Sequence, residues 1–232
     1  MMKIYAIGDL HLPGGDAKPM DVFGPQWERH FERIAQDWRG RVAEQDIVLI
    51  PGDISWAMRQ QEAEPDLLAI GVLPGRKILL RGNHDYWWSA IGRVRAALPV
   101  GMYALQNDAL VLDGQVFCGA RGWTCLGEEP QNPDDARIYA REILRMRMSL
   151  ETARRIAPEL PLTALMHFPP DPSFLSLAEE FGAVRLVYGH LHGAGLRNAL
   201  CGKWGGSGMY IHQVSCDGLG FRLLDLEEKE RV

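Results

Sequence analysis

Five short apolar runs in this chain each stop at a polar cluster: residues 3–7 before Gly8-Asp9, 46–50 before Gly52-Asp53, 77–80 before Gly82-Asn83, 162–166 before His167, and 184–188 before Gly189-His190. Runs of this length, rich in β-branched residues, read as strands buried on both faces. Segments of helical character separate them, at 26–39, 62–71, 86–98 and 173–181. Strand and helix alternating in this way predict a layered α/β domain with much parallel pairing. Ligands of such sheets bind beyond the carboxyl ends of the strands, which is where every one of these polar clusters sits.

Two stretches break the alternation. Residues 101–120 read as a meander of short strands turning near Asn107-Asp108 and Asp113-Gly114, which makes the sheet mixed. Residues 209–226 read as a closing strand pair around Asp217-Gly218, and Gly205 to Gly208 as a flexible surface loop. A long helix is expected from Asn132-Pro133, with Asn132 as cap and proline at the first helical position. Its apolar seam is Tyr139, Ile143, Met146, Leu150, Ala153 and Ala157. With no repeat or linker, the expectation is one domain over 1–232, within which 121–160 forms a helical lid.

The 232 residues, 47% hydrophobic, suffice for one substantial core. A net charge of −5 gives no general attraction to nucleic acid or anionic membrane, so any affinity for phosphate must come from a local site. No apolar run approaches the roughly 20 residues that span a bilayer, and the opening apolar segment is too short for a signal peptide. Cys118, Cys125, Cys201 and Cys216 fall in no CxxC spacing and read as reduced thiols of a cytoplasmic protein.

The strand-end clusters carry the chemistry: Asp9 and His11 in GDLH, Asp53 in GDIS, Asn83-His84-Asp85 in GNHD, His167 in MHFPP, and His190 and His192 in GHLHG. Five of the seven histidines fall in this set, while His30 and His212 lie outside it and read as structural. Residues two apart at the end of an extended strand project to one side, so the DxH and HxH pairs can each grip one cation. Imidazole, carboxylate and one amide together suit Mn, Fe, Zn, Co or Ni better than Ca or Mg, with manganese foremost. Seven groups (Asp9, His11, Asp53, Asn83, His167, His190 and His192) exceed what one ion with an open position needs. Two divalent ions about 3.5 to 4 Å apart would use them all. The net positive charge left at such a site would attract a phosphate anion and stabilise the charge that develops as oxygen adds to phosphorus.

The ordered set DxH, GDx, GNH[DE], a lone His and GHxH resembles the calcineurin-like metallophosphoesterase superfamily, and spans Asp9 to His192. That resemblance implies a four-layer αββα sandwich of two mixed sheets flanked by helices, and hydrolysis of phosphoesters by a metal-bound hydroxide. It implies Asp9, His11 and His192 on one metal, Asn83, His167 and His190 on the other, and Asp53 bridging. His84 would be the general acid for the leaving oxygen, with Asp85 hydrogen-bonding its imidazole.

Departures narrow the branch. GDISWAM replaces the GDxxDRG of the phosphoprotein phosphatases, Trp56 stands where purple acid phosphatases place a tyrosine ligand, and Ala57 stands where the repair nucleases of the superfamily carry a histidine. What remains resembles the bacterial phosphodiesterase or phosphatase-like branch, acting on a small phosphoester or nucleotide. Two alternatives stand beside it: a catalytically silent scaffold of the same fold, and a nuclease, with duplex nucleic acid disfavoured by the acidic composition. Arg137, Arg141 and Arg145 recur every four residues on the long helix; either they form a solvated face, or Arg137 and Arg141 reach the substrate from a lid.

Overall fold

The computed structural model describes residues 2–14, 20–123 and 133–230. In chain order its regular elements are β1 (Ile4–Ala6), α1 (His30–Arg41), β2 (Ile47–Ile50), α2 (Gln60–Gly71), β3 (Arg76–Leu80), α3 (Ile91–Ala97), β4 (Met102–Leu105), β5 (Ala109–Leu112) and β6 (Gln115–Gly119). Then follow α4 (Pro133–Ile156), β7 (Leu162–Leu165), α5 (Pro172–Glu180), β8 (Ala183–Tyr188), β9 (Gly202–Trp204), β10 (Met209–Gln213), β11 (Leu224–Asp225) and α6 (Leu226–Glu230). The strands form two mixed sheets, of order β11-β1-β2-β3-β4 and β5-β6-β7-β8-β10-β9. Parallel ladders make up the interior of both, and β11, β5 and β9 are antiparallel edges.

The apolar runs are continuous because each strand is covered on both faces. Along β1, Ile4 and Ala6 point into the core between the sheets, whereas Tyr5 and Ile7 point to the layer of α1, α2 and α3. Phe117, Leu165 and Val187 meet Ile4, Leu49 and Ile78 across that central core. On the far side, the α4 seam of Met146, Leu150, Ala153 and Ala157 is buried with Phe174 and Leu177 of α5 against the second sheet, and Tyr139 and Ile143 pack on its margin. The result is the four-layer αββα sandwich.

Local chemistry sets several ends. Asp171 caps α5 by accepting from the Ser173 and Phe174 amides, with Pro172 in the first turn, so the helix starts one residue earlier than its periodicity suggests. The buried Lys77 ammonium donates to the carbonyls of Gly71 and Leu73 at the end of α2, supplying the partners that a helix C-terminus lacks.

Three expectations are corrected, and the expected lid is seen in part. Residues 101–120 do not meander in one sheet: β4 pairs parallel with β3, and the chain then crosses at 106–108 into the second sheet, where β5 and β6 make the hairpin around Asp113-Gly114. The two strands of 209–226 also lie in different sheets, β10 beside β8 and β11 beside β1, and residues 205–208 are the turn of the β9–β10 hairpin. The helix expected over 86–98 begins only at Ile91, because Trp87 and Trp88 are buried with their indole N–H groups bonded to Asp85 and Gln106. Lastly, α4 is the crossover between β6 and β7, and from Glu142 onward it is a layer of the sandwich; only 124–132 of the expected lid lie outside the described residues. Asn132, its expected cap, falls there too.

Cys118, Cys201 and Cys216 are free thiols, and Cys125 lies outside the described residues. No described helix is long and apolar enough to cross a membrane.

Candidate metal centre

Beyond their last paired residues, the strands are zipped together by loop backbone. Asp9 N–H donates to Gly52 O (3.0 Å) and His11 N–H to Asp53 O (2.9 Å), which ties the loop after β1 to the loop after β2. Carboxylates complete the weave: the His84 amide donates to Asp53 Oδ1 (2.8 Å), and the His190 amide donates to both Asp9 oxygens (3.0 Å each). A loop of the second sheet is thus bolted to a side chain of the first.

The same convergence strains the backbone. Asp9, His11, Asp53 and His190 all adopt positive φ, at 56°, 45°, 51° and 71°. L-residues other than Asn and Asp avoid this region, and such outliers persist where surrounding contacts over-determine them. Glycine is required at Gly82 and Gly189, where a Cβ would run into the carboxylates of Asp53 and Asp9.

The side chains meet in two overlapping groups. In the first, His11 Nε2 and His192 Nε2 face each other at 3.4 Å, and His192 Nε2 is 3.7 Å from Asp9 Oδ1. In the second, Asn83 Oδ1 lies 2.6 Å from His167 Nε2 and 3.0 Å from His190 Nδ1. Asp53 Oδ2 sits between them, 3.9 Å from His11 Nε2 and 3.5 Å from His167 Nε2. Potential ligand atoms of Asp9, His11 and His192, and those of Asp9, Asp53 and His167, lie within 4.8 Å of one another. All seven residues expected from the sequence are therefore brought together.

The donor set fits divalent transition ions. Ring nitrogens and carboxylate oxygens converge at separations that shared cations could bridge, in the mixed N/O pattern such ions favour. His167 Nδ1 donates to Pro51 O (3.0 Å), which turns its Nε2 inward, and His192 Nδ1 donates to Asp217 Oδ1 (2.9 Å). Burial opposes the charge on His192, but Asp217 and Asp9 outweigh it and raise its pKa to about 10, so a cation bound there would displace a proton. Burial lowers His11 to about 3 and His190 to about 4, keeping these imidazoles neutral and able to ligate. Burial, with Asp85 and Asp9 nearby, pushes Asp53 up to about 7; a dry carboxylate in this company needs positive charge beside it.

Three placements depart from expectation. Asp85 does not bond the His84 ring: its buried carboxylate accepts from Ile54 N (2.9 Å), Ser55 N (3.2 Å), Gly82 N (2.8 Å) and Trp87 Nε1 (2.9 Å). It staples the loops after β2 and β3, and His84 Nδ1 has no hydrogen-bond partner among the described residues. Arg137, 80% exposed, pairs with Asp134, while Arg141 and Arg145 flank the buried Glu142 at 4.0 and 2.5 Å; neither Arg137 nor Arg141 lines the cavity over the centre. Asp217 was not anticipated, since it belongs to no motif and its Asp-Gly pair reads as a turn; it holds both His192 and the Gly193 amide (3.0 Å). His30 bonds the carbonyls of Leu10 and Trp27, and His212 bonds Glu230, structural roles for both.

A cavity of about 330 Å³ opens over the centre, with His11, His84 and His192 on its floor. The family model for calcineurin-like phosphoesterases matches residues 2–194. The chain belongs to that family. That family is one of phosphoesterases, and the donor set here is one that could hold metal ions. The Gene 66 protein of Mycobacterium phage D29 is 35% identical over 89 residues, 37% of this chain and 41% of the phage protein, so the shared stretch spans less than half of that relative. Two solved structures share the fold at 14% identity. One is the protein of unknown function AQ665 from Aquifex aeolicus (TM-score 0.51, covering 100% of this chain and 99% of that one). The other is the phosphopantetheinyl hydrolase PptH from Mycobacterium tuberculosis (TM-score 0.53, 96% and 95%).

Proposed function

We propose that this phosphoesterase hydrolyses small phosphodiesters or phosphomonoesters by in-line attack of water, with His84 as general acid. One observation carries the reading: His84 shares a cavity with His11, Asp53, His190 and His192, beneath which the seven groups converge with Asp53 between two sets of donors. Two divalent ions, manganese foremost, held by Asp9, His11 and His192 and by Asn83, His167 and His190, would supply Lewis acidity and an activated water. The chain's own groups do the rest. Asp9 and Asp53, fixed by amides from the opposite loops, hold the two donor sets in register. Oxygen adds to phosphorus as the ester P–O bond breaks, and the His84 ring gives a proton to the departing oxygen.

His84 is half-buried, and burial together with His167 holds its pKa below the ordinary histidine value, so the ring rests neutral. A phosphate anion arriving beside it raises that pKa, so that protonation and substrate binding go together. Its ring lies 4.5 Å from that of Trp56 and 5.8 Å from that of His11, which places it at the cavity wall adjoining the ligands.

The test is turnover of p-nitrophenyl phosphate and bis-p-nitrophenyl phosphate with Mn²⁺ against a chelated control. Activity that survives chelation, or that is absent with every divalent ion tried, removes the proposal. His84→Ala should depress kcat on alkyl esters by about 100-fold or more, but far less on p-nitrophenyl esters, whose leaving group needs no proton. Equal losses would remove the general-acid role.

A further inference from the structure

The cavity over the metal centre is asymmetric. Its outer wall is Met20, Phe23, Trp27 and Trp56, contributed by the short 3-10 turns ahead of α1 and by the loop after β2. Trp27 is only 4% exposed and is wedged by edge contacts to the His11 and His30 rings and to Phe221. Trp56 stacks on His11 at 4.9 Å and donates from Nε1 to Met20 Sδ (3.2 Å), so the indole orientations are fixed before anything binds. Phe23 stands 61% exposed at the mouth. Among the described residues no lysine or arginine lines this cavity, and one of its polar members is the carboxylate of Asp217.

This wall adjoins His84, the residue assigned above to the leaving oxygen. Resting on that reading, we propose that the cleft of Phe23, Trp27 and Trp56 selects the alcohol half of the substrate, and that this half is a flat, uncharged, apolar group. The fixed indoles and the exposed Phe23 ring bury such a group at little conformational cost. A second phosphate or carboxylate on the alcohol would meet apolar rings and an acid, and would lose its hydration without a partner. The protein therefore discriminates against polyanionic and polyol esters.

Binding can be separated from turnover by using phosphonates, which cannot be hydrolysed. Benzylphosphonate and methylphosphonate are titrated into the Mn²⁺-loaded protein, followed by calorimetry and by tryptophan fluorescence. Benzylphosphonate should bind about tenfold tighter or better and should alter the emission of the cleft indoles, the order of preference that burial of one ring supports. Phe23→Ser and Trp56→Leu, checked for native melting, should each shrink that ratio. In turnover, benzyl phosphate should exceed glycerol 1-phosphate in kcat/KM by a similar factor, since both leave as primary alcohols that need the same proton and the main difference is the group in the cleft. Equal affinities for the two phosphonates, or a ratio untouched in both variants, would overturn the inference. A preserved binding preference with no turnover of any ester would leave it standing and sink the hydrolase reading instead.

Discussion

His192 uses its two ring nitrogens differently: Nε2 faces His11 and Asp9, while Nδ1 is tied to Asp217. The tie fixes tautomer and ring plane, so Asp217→Ala should weaken metal affinity by about 10- to 100-fold in a metal titration while the melting temperature of the metal-free protein stays nearly unchanged. Asp85 predicts the reverse. Its four acceptor bonds are all to loop amides and Trp87, so Asp85→Asn, which turns an amide N–H toward those donors, should cost about 1–3 kcal/mol in urea unfolding. A fall in kcat at unchanged stability would instead restore the direct bond to His84 that its sequence position suggests. Adjacency in the chain made that bond plausible; in the structure the Asp85 carboxylate turns to the loop amides and Trp87 while His84 lines the cavity.

At the scale of elements, α4 is the informative case. If its middle is a layer of the sandwich, Leu150→Ala should destabilise the protein by about 2–5 kcal/mol, whereas Met148→Ala on the exposed face should stay within about 0.5 kcal/mol, both by denaturant titration. A lid would tolerate both. The seam of α4 was legible because period 3.6 shows directly which side is buried. The role of the helix was not, because a crossover and a lid share that periodicity. Similarly, the strands at 102–105, 109–112 and 115–119 were legible as strands with their turns, but alternation says nothing about which sheet a strand joins. The jump at 106–108 follows from β4 finding its partner in β3, some 25 residues back along the chain.

The whole molecule is closed by its C-terminal turn. Glu230 accepts from Arg185 of β8 (2.5 and 2.9 Å) and bonds His212 of β10 (3.1 Å), while its carbonyl accepts from the Tyr210 hydroxyl (2.7 Å). Since α6 also packs on β1, this clamp spans both sheets. Burial opposes the Glu230 charge, but His212 and Arg185 outweigh it and hold the carboxyl below its ordinary 4.5. Its contribution is therefore complete above that pH and is lost as pH falls through the depressed folded value. Glu230→Gln should cost about 1–3 kcal/mol near neutrality, and the gap between wild type and variant should close in unfolding curves taken well below pH 4.5. By itself the sequence determined the layered α/β class and singled out the seven groups that converge at the strand ends, because short apolar runs ending in Asp, Asn and His leave few ways to bury the one and use the other. Only the tertiary structure decided sheet membership, the stapling role of Asp85, the hold of Asp217 on His192 and the aromatic cleft. Those depend on which distant segments come into contact, and contact across tens of residues leaves no local periodicity to read.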